Sequence, residues 1–302
     1  MTQDRPLHGL MLIIGFSALA PLGDGIAKLL GDSIPLGQLL VARFGLQALF
    51  LSPLVASLRL HWRMSRRVFW LVALRSLLHV VGIGAMFTSL RYLPLADALA
   101  IAFVMPFILL LLGRYLLHEE IGARRLIACL VGFIGTLMVI QPSFVSVGAP
   151  ALLPLLVALA FALFMMVTRQ IAKETDPIAL QAVSGAMALV ILLPIVTFGY
   201  LREIQGLGLV VPSTKELWLL ASIGVLGTIA HLLMTWSLRF APAATLAPVQ
   251  YLEIPFATLI GWLLFSELPN GLAALGIAIT IGAGLFVVLR ERAISRRSAA
   301  VH

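Results

Sequence analysis

Ten apolar runs of about twenty residues each dominate the chain, at about 7–29, 35–58, 68–90, 94–115, 124–141, 150–169, 177–200, 215–237, 242–265 and 270–290. A helix needs ~20 mostly apolar residues to cross the hydrocarbon core of a bilayer. The breaks between runs carry turn and helix-end residues: Gly31-Asp32, Pro94, Glu119-Glu120, Pro142, Asp176-Pro177, Pro212, Pro242 and Pro269-Asn270. Strands of a membrane barrel would alternate polar and apolar residues over ~10 positions, and these runs do not. The pattern predicts an all-α integral membrane protein with ten transmembrane helices. Composition closes off the soluble alternative: 61% of the 302 residues are hydrophobic and 11% charged, against about 45–50% and 25% in soluble domains. The first run, Leu7 to Leu22, has no clear small-residue cleavage site and is expected to remain as an uncleaved first helix.

The formal net charge of +8 raises nucleic acid as a partner. That reading fails because the basic residues form short clusters between apolar runs, with no basic domain or patch interleaved with aromatics. Topology explains the excess. With the N-terminus in the cytoplasm, the inner loops and helix ends hold fifteen Lys and Arg, among them Arg59, Arg63, Arg66, Arg67, Arg124 and Arg125. The outer side holds four: Lys28, Arg91, Arg202 and Lys215. Such asymmetry sets orientation, so both termini are expected in the cytoplasm of a cell inner membrane. Of the 21 Lys and Arg, that leaves Arg43 and Arg75, each inside an apolar run.

The chain repeats itself. Ser-Leu-Arg-Tyr-Leu-Pro at 89–94 matches Ser-Leu-Arg-Phe-Ala-Pro at 237–242, and the same offset of 148 residues places Glu119 on Glu267. Pro106 and Pro255 fall one residue out of register. Two five-helix halves, 1–145 and 146–302, follow from this. An odd number of crossings per half reverses the second copy across the membrane, giving an inverted repeat with a central site at the repeat interface.

Three segments carry a family resemblance: Leu-Pro-Leu-Ala-Asp-Ala-Leu-Ala-Ile-Ala-Phe-Val-Met-Pro-Phe (93–107), Gly-Arg-Tyr-Leu-Leu-His-Glu-Glu-Ile-Gly (113–122) and the stretch from Ala247 to Glu267. With the ten-span layout, they make the whole chain resemble the EamA-type branch of the drug/metabolite transporter superfamily. The resemblance implies secondary transport through a central cavity between two EamA-like repeats, with substrates such as amino acids, riboflavin or S-adenosylmethionine.

Charged and polar side chains inside the runs are the candidate site. A charge at the centre of a membrane helix costs on the order of 2.5–3.5 kcal/mol on insertion scales, so it must face a partner or a wet cavity. Arg75 and His79 lie one helical turn apart on one face of the third run. Either Arg75 reaches the headgroups or a structural carboxylate, or it receives an anionic or carbonyl-rich substrate with His79 beside it. Arg43 and Gln47, again one turn apart, present a second polar face. Gln250, Tyr251 and Glu253 form a third, just before the helix-breaking Pro255, and Glu253 is the proton-coupling candidate; its alternative is a salt bridge to Arg43 or Arg75. Asp24 and Lys28 are spaced to pair on one face, as an interfacial ion pair or as gating groups. Asp97, at the start of the fourth run, suits either the helix dipole or a coupling role. His231, Thr235 and Trp236 add a polar stripe in the eighth run, and Glu119 and Glu267 are expected to lock loops at opposite faces.

These residues predict a small polar or zwitterionic metabolite substrate, a vitamin such as riboflavin, an amino acid or a nucleoside-like compound, moved by a secondary active transporter of the alternating-access type. Protons are the coupling candidate, and a monomer or homodimer in the lipid bilayer is the expected assembly. No metal or cofactor is implied: Cys129 is the single cysteine, and metal-spacing clusters, phosphate-cradling loops and hydrolase motifs are absent from the sequence. The rival reading is an intramembrane enzyme or lipid-handling protein of similar topology, for which Asp24 and Asp97 are the faint catalytic candidates.

Overall fold

Without water to bond its backbone, a segment in hydrocarbon must satisfy its own N–H and C=O groups, and the α-helix does so within one segment. A computed structural model describes residues 5–60, 62–116, 122–139, 148–267 and 271–299. The first half contains α1 (Pro6–Leu30), α2 (Leu36–Ser57), α3 (Arg66–Ser89), α4 (Leu95–Ala102), α5 (Met105–Leu116) and α6 (Ala123–Val139). The second contains α7 (Leu153–Ile171), α8 (Pro177–Leu201), α9 (Thr214–Phe240), α10 (Ala243–Leu246), a 3-10 stretch (Ala247–Leu252), α11 (Glu253–Phe265) and α12 (Gly271–Ala299). Among the described residues, six helices are long and apolar enough to span a membrane: α1, α2, α3, α7, α8 and α9. The shorter apolar segments Leu95–Leu109, Leu126–Gly135, Val249–Phe265 and Ala274–Ala283 complete the ten.

Two of those expected spans are not continuous helices. The fourth breaks at Phe103 and Val104, between α4 and α5, and the ninth passes through α10 and the 3-10 stretch before α11 begins. Pro106, Pro248 and Pro255 cluster at these breaks, and a proline supplies no N–H to an i−4 carbonyl. Periodicity and hydropathy do not register the interruption, because the flanking residues are as apolar as those of an unbroken span. Both breaks fall in corresponding places of the two halves, where broken helices bring backbone polar groups to membrane depth.

Caps set the ends of three long helices. Ser65 Oγ accepts the Val68 N–H at 3.3 Å to start α3, and Asp176 accepts from Ile178 and Ala179 to start α8. Ser213 and Glu216 satisfy each other's backbone N–H groups to start α9. Three helix exits put a non-glycine residue in the left-handed region: Arg59 (φ 51°), Glu203 (φ 53°) and Ser266 (φ 58°). After Arg59 and Glu203 the next N–H bonds a carbonyl five residues back, Leu60 to Val55 at 3.0 Å and Ile204 to Gly199 at 2.9 Å; after Ser266 the Glu267 N–H reaches Gly261 O at 3.2 Å.

The helices pair so that each half packs on the other. α1 lies along α9 and α3 along α7; α2 pairs with α8 and α6 with α12. Exchanging the halves turns the α1–α9 pair into the α7–α3 pair and leaves the other two unchanged, so the pairing has the two-fold symmetry of a repeated five-helix unit. Lipid offers no hydrophobic force to press helices together, so close packing and interhelical hydrogen bonds do it. Gly185 of α8 shows the first: a Cβ there would lie 3.1 Å from Ala48 N and 3.2 Å from Phe44 O of α2. Gln47 Nε2 shows the second, donating to Gln181 O across the same pair at 2.7 Å.

Candidate functional site

A central cavity lies where α1, α3, α9 and the broken α4–α5 and α11 segments converge. Its polar wall is Asp24 on α1, Arg43 on α2, His231 on α9 and Glu253 at the first residue of α11. Phe16, Phe87, Phe103 and Phe161 supply aromatic faces. The cavity holds about 70 Å³ of water-accessible space, room for about five waters at ~10–15 Å³ each. Pockets that bury small organic ligands run to about 300 Å³ or more. As it stands the site is smaller than such a ligand.

Arg43 is the wall's anchor. Its NH1 donates to Gln47 Oε1 and its NH2 lies against His231 Nδ1, both at 3.0 Å. His231 Nδ1 also lies 2.9 Å from Gly227 O. One ring nitrogen cannot accept from the guanidinium and donate to a carbonyl at once. His231 thus has two competing arrangements: accepting from Arg43, which puts its proton on Nε2, an atom with no partner among the described residues, or donating to Gly227. The guanidinium reaches this place because residue 227 has no side chain; a Cβ there would overlap Arg43 Nε.

Behind the wall runs a buried polar chain. Gln47 bonds Gln181, and Gln181 Nε2 donates to Thr235 Oγ1 at 3.2 Å. Arg75 NH2 also reaches Thr235, at 3.3 Å, while its Nε donates to Thr168 Oγ1 at 2.8 Å and its NH1 to Ser184 Oγ at 2.5 Å. Its guanidinium carbon lies 4.4 Å from the Phe164 ring centre. Among the described residues no carboxylate pairs with it. Three hydroxyls and an aromatic face hold a buried cation, which is neither the headgroup contact nor the salt bridge weighed from the sequence.

The other sequence candidates are distributed as follows. Arg43, Asp24 and Glu253 come together on the cavity wall; neither carboxylate is in direct ion-pair contact with Arg43 or Arg75. Gln47 and Arg75 stand in the second layer. His79 stacks against His231 (4.2 Å between ring centres) and Phe164 (4.6 Å), with no hydrogen-bond partner at either ring nitrogen among the described residues. Gln250 Nε2 lies 3.0 Å from Met165 Sδ. Tyr251 packs its ring on Phe103, and a Cβ at Gly132 would meet that ring. Asp97 falls in the first turn of α4 and is not among the residues that line the cavity. Glu119 lies outside the described residues.

Lys28 requires a correction. It does not pair with Asp24 one turn before it but with Glu267 of the other half, Nζ to Oε1 at 2.6 Å. Its ammonium also lies 4.7 Å from the Phe265 ring centre. The second Glu267 oxygen accepts the Leu95 N–H at 3.1 Å, capping α4. The i, i+4 spacing permits a pair on α1, but Asp24 turns to the cavity while Lys28 turns to the loop after α11. Glu267 thereby ties α1, the start of α4 and the end of α11 together.

Gly227 is a wall residue that the sequence did not point to, and His231 stood out there only as part of a polar stripe in the eighth run. A signal was present: Gly227, His231 and Thr235 recur every fourth residue along one face of α9. The aromatic wall left no such signal, because Phe16 and Phe161 are indistinguishable from lipid-facing residues in an apolar run.

The profile of the EamA-like transporter family matches the chain twice, over residues 7–141 and 149–290. The chain belongs to that family, and it is a multi-pass membrane protein. A riboflavin transporter of Rhizobium johnstonii is 31% identical over 85% of this chain and 82% of its own. An S-adenosylmethionine uptake transporter of Rickettsia prowazekii is 24% identical over 95% and 94%. A pseudopaline exporter of Pseudomonas aeruginosa is 25% identical over 98% and 99%. A solved crystal structure shares the fold with a TM-score of 0.70 at 19% identity, covering 95% of this chain and 98% of that one.

Proposed function

We propose that the chain is a secondary active transporter for a small polar or zwitterionic metabolite bearing a planar ring, working by alternating access between the repeats 1–145 and 146–302. The observation that carries this reading is the central wall, where two carboxylates, one guanidinium and an imidazole face four phenylalanines between broken helices of both halves. Aromatic faces suit a flat heterocycle, and Asp24, Arg43 and Glu253 suit its donors, acceptors and charges. The names of the riboflavin and S-adenosylmethionine relatives agree with that chemistry. Both termini face the cytoplasm of the inner membrane, following the charge asymmetry of the loops.

Two carboxylates share the wall with one guanidinium, so one negative charge is left over when both are ionised. In a site of low dielectric that charge needs a counter-charge. A proton on Glu253, or a cationic group of the substrate, supplies it, which gives coupling a physical basis. Arg75, Gln47 and His79 support the wall from behind and become substrate contacts when the bundle opens; Gln250 and Tyr251 hold the broken ninth span. The Lys28–Glu267 pair is a gate tie at one mouth, and Asp97 steadies the α4 end beside it. Family membership favours transport over the enzymatic alternative, and Asp97 is off the wall that alternative would need.

The test is uptake of labelled riboflavin, S-adenosylmethionine and amino acids by proteoliposomes under an imposed pH gradient. Flux with at least one class is expected. Arg43→Ala should abolish it with membrane insertion intact, and Glu253→Gln should leave exchange but remove its response to the gradient. Absence of flux with every class, or full gradient response in Glu253→Gln, overturns the reading.

A further inference from the structure

A groove of about 650 Å³, larger than the central cavity, lies between the end of α2 and the first half of α8. It shares no lining residue with the central cavity, and Ser52, Ala56, Arg59, Trp62, Ala186 and Val190 along it are exposed. Its floor is Val55 and Ala56 of α2 with Ala182, Val183 and Ala186 of α8. Small side chains there leave a channel where a row of leucines would fill it. At one end only, the groove meets Arg59 and Trp62.

Backbone geometry fixes that polar end. Arg59 sits in the left-handed region with its N–H on Ala56 O at 3.2 Å, and Leu60 N–H bonds Val55 O. The chain thus folds back over the last turn of α2 and brings Arg59 and Trp62 to the mouth. Arg63 follows in the same loop and Arg66 opens α3, both exposed. Arg67 pairs with Glu174 at 2.9 Å, whereas among the described residues no carboxylate pairs with Arg59, Arg63 or Arg66. Three exposed cations stand at the arginine-rich membrane face beside an exposed tryptophan, the residue that favours headgroup depth.

We propose that this groove seats an acyl chain of an anionic phospholipid, whose phosphate is held by Arg59 with Arg63 and Arg66 close by. The polarity matches: an apolar trough with cationic groups at one end is the complement of a tail with an anionic head. Guanidinium groups form paired hydrogen bonds to phosphate oxygens, and these are stronger than those from neutral donors. A second copy of the chain fits less well. Copies inserted the same way in one membrane would bring their Arg59, Arg63 and Arg66 clusters to the same depth, cation against cation.

Native mass spectrometry of the full chain, exchanged from nanodiscs of phosphatidylglycerol or of phosphatidylcholine, tests this. Phosphatidylglycerol should be retained in preference to phosphatidylcholine. Arg59→Gln with Arg63→Gln should lower its retention about five-fold per arginine removed. Ala186→Phe, which fills the trough, should release lipid of both classes; Ala56→Leu is a second filling variant should the first fail to fold. Leu263→Phe, on an exposed face of α11, should change nothing. Equal retention of the two lipids by the unaltered chain overturns the proposal. So does undiminished phosphatidylglycerol retention in a folded filling variant, which would mean a headgroup contact without a seated tail.

Discussion

Gly227→Ala adds one methyl group to the wall of the central cavity, and the structure says which side chain must move. The three heavy atoms nearest to the new carbon all belong to the Arg43 guanidinium. Arg43 would have to leave its place, losing its bonds to Gln47 and His231, at 3.0 Å each. Hydrogen bonds to charged groups contribute about 1.5–3 kcal/mol apiece, so the loss comes to about 3–6 kcal/mol. Replacing glycine by alanine inside a helix returns up to ~1 kcal/mol. The net is a destabilisation of about 2–5 kcal/mol, from a substitution that would ordinarily stabilise a helix. The lower end applies if the guanidinium swings into the cavity, where it approaches Asp24 and takes space the substrate needs; uptake is then lost with modest loss of stability. A double-mutant cycle with Arg43→Ala, read by reversible unfolding in mixed micelles, isolates the effect. In the Arg43→Ala background Gly227→Ala should be neutral or mildly stabilising. An equal destabilisation in both backgrounds, or a Gly227→Ala protein with normal stability and uptake, would refute the argument.

Lys28→Met should cost about 1–2 kcal/mol, between the values for exposed and buried ion pairs, because both partners are only partly exposed; Glu267→Gln should cost as much, and the double variant little more, in the same unfolding assay. Arg75→Lys keeps the charge but cannot reach Thr168, Ser184 and Thr235 together, so a loss of about 1.5–3 kcal/mol is expected. Thr235→Val should weaken both Arg75 and Gln181 and couple with Arg75→Lys in a cycle, since one hydroxyl serves both.

Residue order alone establishes the membrane class, the ten apolar segments, the repeat and the position of Arg43, Arg75, Asp24 and Glu253 inside apolar runs. Hydropathy over about twenty residues is a local property, and the cost of a charge in hydrocarbon does not depend on which helix stands opposite. The remainder depends on how the helices pack. Lys28 had a legal partner one turn away on its own helix and took Glu267 instead, because helix rotation sets which residue it faces. Arg75 was legible as a buried cation, yet its three hydroxyl partners come from α7, α8 and α9, which no spacing within α3 reveals. The fourth and ninth spans break where prolines stand among residues as apolar as their neighbours, so composition passes over the interruption. The cavity is a property of several helices meeting at once. A single run shows which side chains are unwilling to face lipid, and only the packing of the two halves shows what they face instead.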